Sequence, residues 1–111
     1  MTIHIMKLSE PYYTLVKKKK KTIEIRINDE KRQLLKIGDK IKFTDTNGKN
    51  HFILKIRDLK KSKNFKNAIK KATLKKCMPN IKSIKKAINI YRSFPSYKKK
   101  EKKYGIILIY L

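Results

Sequence analysis

The sequence predicts an α+β fold, a small β-barrel of five or six strands with two or three helices packed around it. Apolar and polar residues alternate in several stretches, as they do in strands with one buried face. These stretches are residues 2–6, 21–28, 40–43 and 51–59. Apolar residues recur at helical spacing in residues 65–72 and 84–91. A chain of 111 residues has room for one modest core, so we expect a single domain over residues 1–111.

The first elements are a short strand and a helix. Residues 2–6 alternate as a strand, and Ser9 is placed to cap a helix that carries Tyr12, Leu15 and Val16 at helical spacing. The helix runs into five consecutive lysines at residues 17–21. Two interpretations of this run are compatible: a solvated helix end favoured by the helix dipole, and a rim that binds anions.

The central strand is predicted over residues 21–28. Ile23, Ile25 and Ile27 alternate with polar residues, so Glu24 and Arg26 lie side by side on the polar face. A turn and the pair Gly38-Asp39 follow, and residues 40–43 resume the alternation. Four of the 8 acids in this very basic chain fall between Glu24 and Asp39, and a carboxylate beside an arginine on a cationic surface indicates that Glu24 has a specific role.

The remaining elements follow in order. Residues 45–48 predict a hairpin turn, and residues 51–59 predict the returning strand. Two amphipathic helices with cationic outer faces come next, the second capped by Ser83. Residues 94–97 predict an irregular loop before the lysines of residues 98–103. Residues 104–111 are almost wholly apolar and predict a strand buried on both faces, which closes the barrel.

The net charge of the chain indicates which classes of partner are favoured. It has 32 Lys and Arg against 8 Asp and Glu, for a formal net charge of +24. So many like charges repel one another in a compact state, which favours a polyanionic partner, with nucleic acid ahead of an anionic membrane surface. The competing interpretation is the coding bias of an AT-rich genome, since the chain is also rich in Ile and Asn.

Other functional classes receive no support. The single cysteine, Cys77, excludes an intramolecular disulfide, and no pattern of metal ligands or phosphate-binding glycine loop is present. We therefore expect no metal and no cofactor. No apolar run is long enough to cross a membrane, so we expect an intracellular protein of the cytoplasm or nucleus. Nothing in the pattern indicates an oligomeric state.

The region around the central strand resembles ASCH domains, a branch of the PUA-like barrel superfamily. The family pattern is GxKxxExR, then an Asp, a basic pair and a Gly-Asp turn. It is matched here by Lys21, Glu24, Arg26, Asp29, Lys31, Arg32, Gly38 and Asp39. The first strand, the helix with Tyr12 and Tyr13 and the final strand also fall where the family places them. The chain departs from the family at Lys19, which replaces the glycine best suited to a turn with positive φ.

Resemblance and charge together predict an RNA-binding or nucleotide-binding cleft between the central strand and the helices. Glu24 and Arg26 would orient a base or ribose, unless they only pair with each other to brace the barrel. The other candidate nucleic-acid-binding residues are Lys19, Lys20, Lys21, Thr22, Lys31, Arg32, Lys85 and Arg92. Candidate stacking groups, each of which also suits a core position, are Tyr12, Tyr13, Tyr97 and Tyr104.

The alternative is a small hydrolase acting on RNA or on a modified nucleoside. Some ASCH proteins resemble amidohydrolases that use a lysine, a threonine and a glutamate on a modified cytidine. Here Lys21 matches the lysine, but Glu24 occupies the threonine position, and no acid lies between Asp58 and Glu101 to supply the glutamate. A ribonuclease would need a general base and a general acid, for which Lys21, Glu24 and Tyr104 are the candidates.

Overall fold

Six strands form two three-stranded sheets in residues 2–111, the part of the chain that the structure, a computed structural model, describes. The strands are β1 (Ile3–Lys7), β2 (Ile23–Ile27), β3 (Lys40–Thr44), β4 (His51–Lys55), β5 (Asp58–Ser62) and β6 (Ile106–Tyr110). The first sheet has the order β1-β3-β4, with β1 parallel to β3. The second sheet has the order β2-β6-β5 and is antiparallel throughout.

Five helices and one 3₁₀ turn complete the described residues. The helices are α1 (Tyr12–Lys17), α2 (Phe65–Ala72), α3 (Leu74–Cys77), α4 (Ile84–Ser93) and α5 (Tyr97–Tyr104), and the 3₁₀ turn is Arg32–Leu34. Ser83 caps α4 as predicted, since its hydroxyl accepts a hydrogen bond from the Lys86 backbone N–H at 3.3 Å. The predicted Ser9 cap is wrong. The Glu10 carboxylate instead accepts a hydrogen bond from the Thr14 backbone N–H at 3.0 Å.

The strands confirm the predicted α+β class and the number of strands, but they do not form one closed sheet. No ladder joins the two sheets within residues 2–111. The stretch predicted as one strand, residues 51–59, is divided between β4 and β5. Ile56 lies at the division with its side chain fully buried, and the chain crosses there from the first sheet to the second.

The apolar core has two parts, one on each face of the second sheet. Ile106 and Leu108 of β6 pack on the side of the helices, with Phe65, Ala68 and Ile69 of α2. Ile107 and Ile109 point the other way and pack with residues of the first sheet, among them Ile41 and Phe43. The prediction that this last strand is buried on both faces is confirmed. The second sheet is therefore the middle layer between the helices and the first sheet.

The segment before β6 differs from the prediction. Residues 97–104 form α5, whereas the sequence predicted a loop, a lysine run and the start of a strand at Tyr104. The eight residues of α5 contain no apolar stripe, because the lysines are exposed and the residue that faces inward is Glu101. Tyr104 ends this helix, and Gly105 follows with φ +72°.

No helix within residues 2–111 combines the length and apolar character that crossing a membrane requires.

Candidate functional site

A cavity of about 160 Å³ opens beside β2. Its floor is formed by Glu24, Ile25 and Arg26 of β2 together with Lys21, which precedes the strand. The walls come from segments distant in sequence. They are Lys7, Leu8, Ser9, Tyr12, Met78, Tyr91, Phe94 and Tyr97. Strand alternation puts Glu24 and Arg26 on the same face of β2. Their partners in β6 are Ile109 and Ile107, so this is the face turned toward the first sheet and α1.

Three charged side chains form a buried cluster at the floor. The ammonium Nζ of Lys21 lies 3.1 Å from Oε1 of Glu24, and both side chains are almost fully buried, at 2% and 6% exposure. The guanidinium of Arg26 approaches the other carboxylate oxygen, with Nε donating a hydrogen bond to Oε2 at 3.0 Å. Desolvating charges costs several kcal/mol per ion. Ion pairs buried this deeply are therefore an inefficient way to brace a fold.

The hydrogen-bonding capacity of the cluster is only partly used. Lys21 Nζ contacts three acceptors, the backbone carbonyls of Ile23 and Cys77 and the Glu24 carboxylate, so its three N–H donors are occupied. Arg26 Nη2 donates to the Lys7 carbonyl at 2.8 Å. Nη1 of Arg26 has no partner within residues 2–111, and Oε1 of Glu24 contacts Lys21 alone. Two donors and one acceptor are therefore left for a ligand.

The ionisation of the cluster is fixed. Burial opposes the charged form of Glu24, but the charges and hydrogen bonds of Lys21 and Arg26 outweigh it and lower the pKa of the carboxyl. Burial also opposes the charge of Arg26, but Glu24 outweighs it and raises the pKa of the guanidinium. General acid–base catalysis needs a pKa near the working pH. These shifts move Glu24 and Arg26 away from neutrality, so both groups act as permanent charges.

Two neutral groups near the cluster, the Tyr91 hydroxyl and the Cys77 thiol, also stay un-ionised. Burial raises the pKa of the Tyr91 hydroxyl well above its usual range. Burial likewise raises the pKa of the Cys77 thiol. Among residues 2–111, no three His, Cys, Asp or Glu side chains gather as a metal ion would require. The site consists of fixed charges and aromatic surfaces, which is the composition of a binding site.

Aromatic rings form much of the cavity wall. Tyr91 stacks on Phe65 with ring centroids 5.0 Å apart, and Tyr97 packs against Phe94 at 5.3 Å. Phe94 stays 38% exposed in the loop between α4 and α5. The Tyr12 ring lies on the other side, 5.9 Å from Lys21 Nζ. A planar ligand entering this space meets aromatic rings on more than one side.

The structure brings together only some of the predicted site residues. Lys21, Glu24, Arg26, Tyr12 and Tyr97 all line the cavity. The expectation that Lys21 belongs to an exposed rim is wrong, because its side chain turns inward to Glu24 and two backbone carbonyls. Residues 17–20 of the same run are exposed.

Two predicted aromatic groups lie elsewhere. Tyr13 is buried against Phe52 in the core between the sheets, with centroids 5.1 Å apart. Tyr104 directs its hydroxyl to the Glu30 carboxylate at 3.2 Å. The candidate catalytic group of Lys21, Glu24 and Tyr104 is therefore not assembled, because Tyr104 ends α5 and does not line the cavity.

The remaining predicted contacts are spread over the surface. Arg32 pairs with Asp29 at 3.3 Å, and Lys31 beside it is exposed. Arg92 binds Glu101 through two nitrogens, at 2.9 and 3.2 Å. Lys20 and Lys85 are exposed and lie outside the cavity lining. Lys19 and Thr22 line a second cavity on the other side of Lys21.

Sequence analysis missed several wall residues. Tyr91 was assigned to the apolar face of a helix, and this pattern is the same for a core residue and for one that borders a cavity. Met78 and Leu8 lie in connecting segments without a periodic pattern. Phe94 was placed in a loop, and its position at the cavity depends on α5, which the sequence did not predict. Of the lining residues, Lys21, Glu24, Arg26, Tyr12 and Tyr97 carried a signal in the sequence.

Fold and site together define a class of protein: a small α+β domain with two three-stranded sheets and a cavity lined by charged and aromatic side chains beside one strand. Residues 6–111 match the family model of the ASCH domain, and the chain belongs to the ASCH domain family. The resemblance noted in the sequence is thereby confirmed. No curated protein matches the chain at a significant level.

Two solved structures are similar over nearly the whole chain. The crystal structure of the hypothetical protein PH0355 is 35% identical, with a TM-score of 0.86 over 99% of this chain and 96% of that one. The solution structure of the protein PF0455 from Pyrococcus furiosus is 34% identical, with a TM-score of 0.77 over 98% and 94% of the two chains. Neither name states an activity.

Proposed function

We propose that this protein binds single-stranded RNA and accepts one unpaired base, preferentially cytosine, in the cavity beside β2. The observation that carries the proposal is the buried Lys21–Glu24–Arg26 cluster with donors and an acceptor left over. Its position at the floor of an aromatic cavity fits a planar, polar ligand. Family membership and a net charge of +24 support a nucleic-acid partner.

The size of the cavity favours a single ring. Pockets for drug-sized ligands measure about 300–1,000 Å³. An engineered cavity of about 150 Å³ holds benzene, so the 160 Å³ beside β2 suits a pyrimidine better than a purine. A base within a duplex cannot enter such a space, and we therefore expect a preference for unpaired strands.

The free hydrogen-bonding groups favour cytosine among the pyrimidines. Arg26 Nη1 offers two N–H donors and Glu24 Oε1 offers one acceptor. Cytosine presents the complementary groups on its pairing edge. These are the acceptors O2 and N3 and an exocyclic amine, which donates hydrogen bonds to carboxylates. Uracil carries an N3–H donor between two carbonyl acceptors, so it cannot present two adjacent acceptors to Arg26 and a donor to Glu24 at the same time. Exposed lysines at residues 17–20, which precede Lys21 in the chain, would supply phosphate contacts.

The test is a fluorescence-anisotropy titration of labelled oligocytidine, oligouridine and duplex RNA with the wild type, Arg26→Ala and Arg32→Ala. Both variants lose one positive charge, but only Arg26 lines the cavity, since Arg32 pairs with Asp29. A hydrogen bond to a charged group contributes about 1.5–3 kcal/mol. We therefore expect Arg26→Ala to weaken oligocytidine binding about tenfold or more and to abolish its advantage over oligouridine.

Arg32→Ala should leave both the affinity and the preference nearly unchanged. Equal binding of single-stranded and duplex RNA by the wild type would contradict the proposal. Equal losses in the two variants would also contradict it, since binding would then depend on net charge alone. Circular dichroism of each variant, compared with the wild type, separates a binding defect from a loss of structure.

A further inference from the structure

A second cavity, larger than the first at about 360 Å³, lies at the end of the second sheet. The register of the strands brings its residues together. The Leu111 backbone N–H donates to the Thr22 carbonyl at 2.9 Å, and the Arg57 N–H donates to the Tyr110 carbonyl at 2.8 Å. The complete lining is Val16, Lys19, Lys21, Thr22, Leu54, Lys55, Arg57 and Leu111.

Three cationic side chains of this cavity are unused. Lys19, Lys55 and Arg57 are exposed, and none makes an ion pair or a side-chain hydrogen bond within residues 2–111. Other basic side chains, such as Arg32 and Arg92, are paired with carboxylates. No acidic side chain lines the cavity. A guanidinium beside two ammonium groups and the Thr22 hydroxyl is a donor set suited to a phosphate.

The two cavities are adjacent because Lys21 lines both of them. Thr22 lines the second cavity and Glu24, two residues further along, lies at the floor of the first, which is a span of about 7 Å at ~3.3 Å per extended residue. A base and the phosphate of its own nucleotide are separated by one ribose, which is a comparable distance. One nucleotide can therefore reach both cavities.

We propose that the second cavity binds a backbone phosphate of the strand whose base occupies the first cavity. The identity of the strand rests on the proposed function, whereas the affinity for phosphate follows from the second cavity alone. Lys55 and Arg57 become phosphate ligands at this site, joined by Lys19 and Thr22.

The backbone at Lys19 is consistent with this role. Lys19 has φ +61°, a conformation that glycine adopts without strain and that costs other residues about 1–2 kcal/mol. The family's pattern has glycine here, and this chain carries a strained lysine whose side chain lines the cavity. Lys19→Gly therefore removes one cation from the cavity while relieving the backbone, which makes it a variant that should fold.

The first arm of the test follows backbone amide signals by NMR while inorganic phosphate, cytidine or cytidine 5′-monophosphate is added to the wild type. We expect phosphate to shift the signals of Thr22, Arg57 and Leu111. Cytidine should shift those of Glu24 and Arg26, and the monophosphate should shift both sets with higher affinity than either part. Phosphate shifts scattered over the lysine-rich helices would overturn the inference, because they would show general attraction of anions.

The second arm uses single-stranded RNA and two variants of equal charge. Lys55→Ala with Arg57→Ala removes two cations from the cavity, and Lys66→Ala with Lys70→Ala removes two exposed cations from α2. Each contact with a phosphate of a single strand contributes about 0.7 to the slope of log K against log salt. Because these cations share one phosphate, the cavity double variant should lower the magnitude of that slope by about 0.7, and Lys19→Gly should lower it by a smaller amount.

The α2 variant should keep the slope close to that of the wild type. Equal slopes for the two double variants would overturn the inference while leaving the cytosine site intact. If the protein fails to bind RNA but inorganic phosphate still shifts the amide signals of Thr22 and Arg57, the proposed function is rejected. The second cavity would then still be an anion-binding site.

Discussion

Glu24 is the residue on which the site depends. Its carboxylate pairs with two cations, Lys21 at 3.1 Å from Oε1 and Arg26 at 2.9 Å from Oε2. Without its charge, two cations would remain buried with no counter-ion, and breaking one buried pair costs about 3–5 kcal/mol. The same carboxylate keeps Arg26 in place at the cavity floor, so the stability of the fold and the proposed base recognition both depend on one side chain.

The pKa of Glu24 gives this dependence a pH signature. The folded pKa lies below the ordinary value of 4.5, so the ion pairs stabilise the protein fully above pH 4.5. That contribution is lost as the pH falls through the lowered folded pKa. We expect Glu24→Gln to reduce the free energy of unfolding by about 3 kcal/mol at pH 7, with the difference from the wild type shrinking below pH 4.5.

Urea unfolding of both proteins at pH 7, 5 and 3 measures this difference. Glu30→Gln is the matched control, because Glu30 is an exposed acid whose one side-chain hydrogen bond within residues 2–111 comes from the Tyr104 hydroxyl. Its effect should stay within about 0.5 kcal/mol at pH 7. A Glu24→Gln deficit of the same size at every pH would show that charge is not its origin.

At the scale of residues, the sequence predicted that Lys21, Glu24 and Arg26 are neighbours, but it did not predict that they are buried. Strand alternation was sufficient to place Glu24 beside Arg26 and to locate Lys21 just before them. The burial of all three depends on Met78, Tyr91 and Phe94, which lie more than 50 residues further along the chain. Local sequence patterns do not show which residues distant in the chain will cover a side chain. The sequence alone therefore could not decide whether Glu24 and Arg26 brace the fold or bind a ligand.

At the scale of elements, α5 is held by one buried carboxylate. Glu101 is 5% exposed and accepts from the Phe65 backbone N–H at 2.8 Å, at the start of α2. It also binds Arg92 of α4 at 2.9 Å. A carboxylate at a helix N-terminus is favourable for the helix dipole as well. One side chain thus joins three helices, and α5 in turn positions Tyr97 at the cavity.

Removing that carboxylate should loosen α5. We expect Glu101→Ala to lower the free energy of unfolding by about 2–3 kcal/mol, because the buried Phe65 N–H loses its partner. Arg92→Ala should cost about 1 kcal/mol or less, since its side chain is 41% exposed. Lys102→Ala, an exposed neighbour on α5, is the control with little effect. Urea denaturation measures all three, and similar losses for Glu101→Ala and Lys102→Ala would contradict this role.

Elements with a strong apolar pattern were predictable, and those without one were not. The apolar stripes of α2 and α4 and the alternation of β2 and β3 marked these segments in the sequence. By contrast, β5 has the sequence DLKKS, and α5 contains five lysines with one inward acid. β5 is stabilised by pairing with β6, and α5 is stabilised by the contacts of Glu101. These are tertiary interactions, which the periodicity of the local sequence does not reveal.

At the scale of the whole molecule, the excess of positive charge sets the salt dependence of binding. The structure pairs Lys21, Arg26, Arg32 and Arg92 with carboxylates, whereas the exposed lysines at residues 17–20 make no ion pair within the described chain. Exposed cations of this kind displace counter-ions from a nucleic acid. An AT-rich coding bias would have the same physical effect, since a lysine attracts phosphates whatever its origin.

We expect the logarithm of the affinity for single-stranded RNA to fall with log salt at a slope near −3.5, from about five neutralised phosphates. Arg26→Ala should lower the affinity at every salt concentration with little change of slope, because Arg26 already pairs with Glu24 inside the protein. Anisotropy titrations at several salt concentrations measure both quantities. A wild-type slope weaker than about −1.5 would remove the electrostatic case for a polyanionic partner.

The pairing of β2 with β6 has a consequence for how the chain reaches this fold. The partners are separated by about 80 residues of sequence, and β6 lies between β2 and β5 as the central strand of its sheet. Such a long loop must close before any of these hydrogen bonds can form, and folding rates fall as contacts become less local. The cavity whose floor is β2 therefore belongs to a sheet that we expect to assemble late and slowly. The proposed RNA site would be complete only when that assembly has finished.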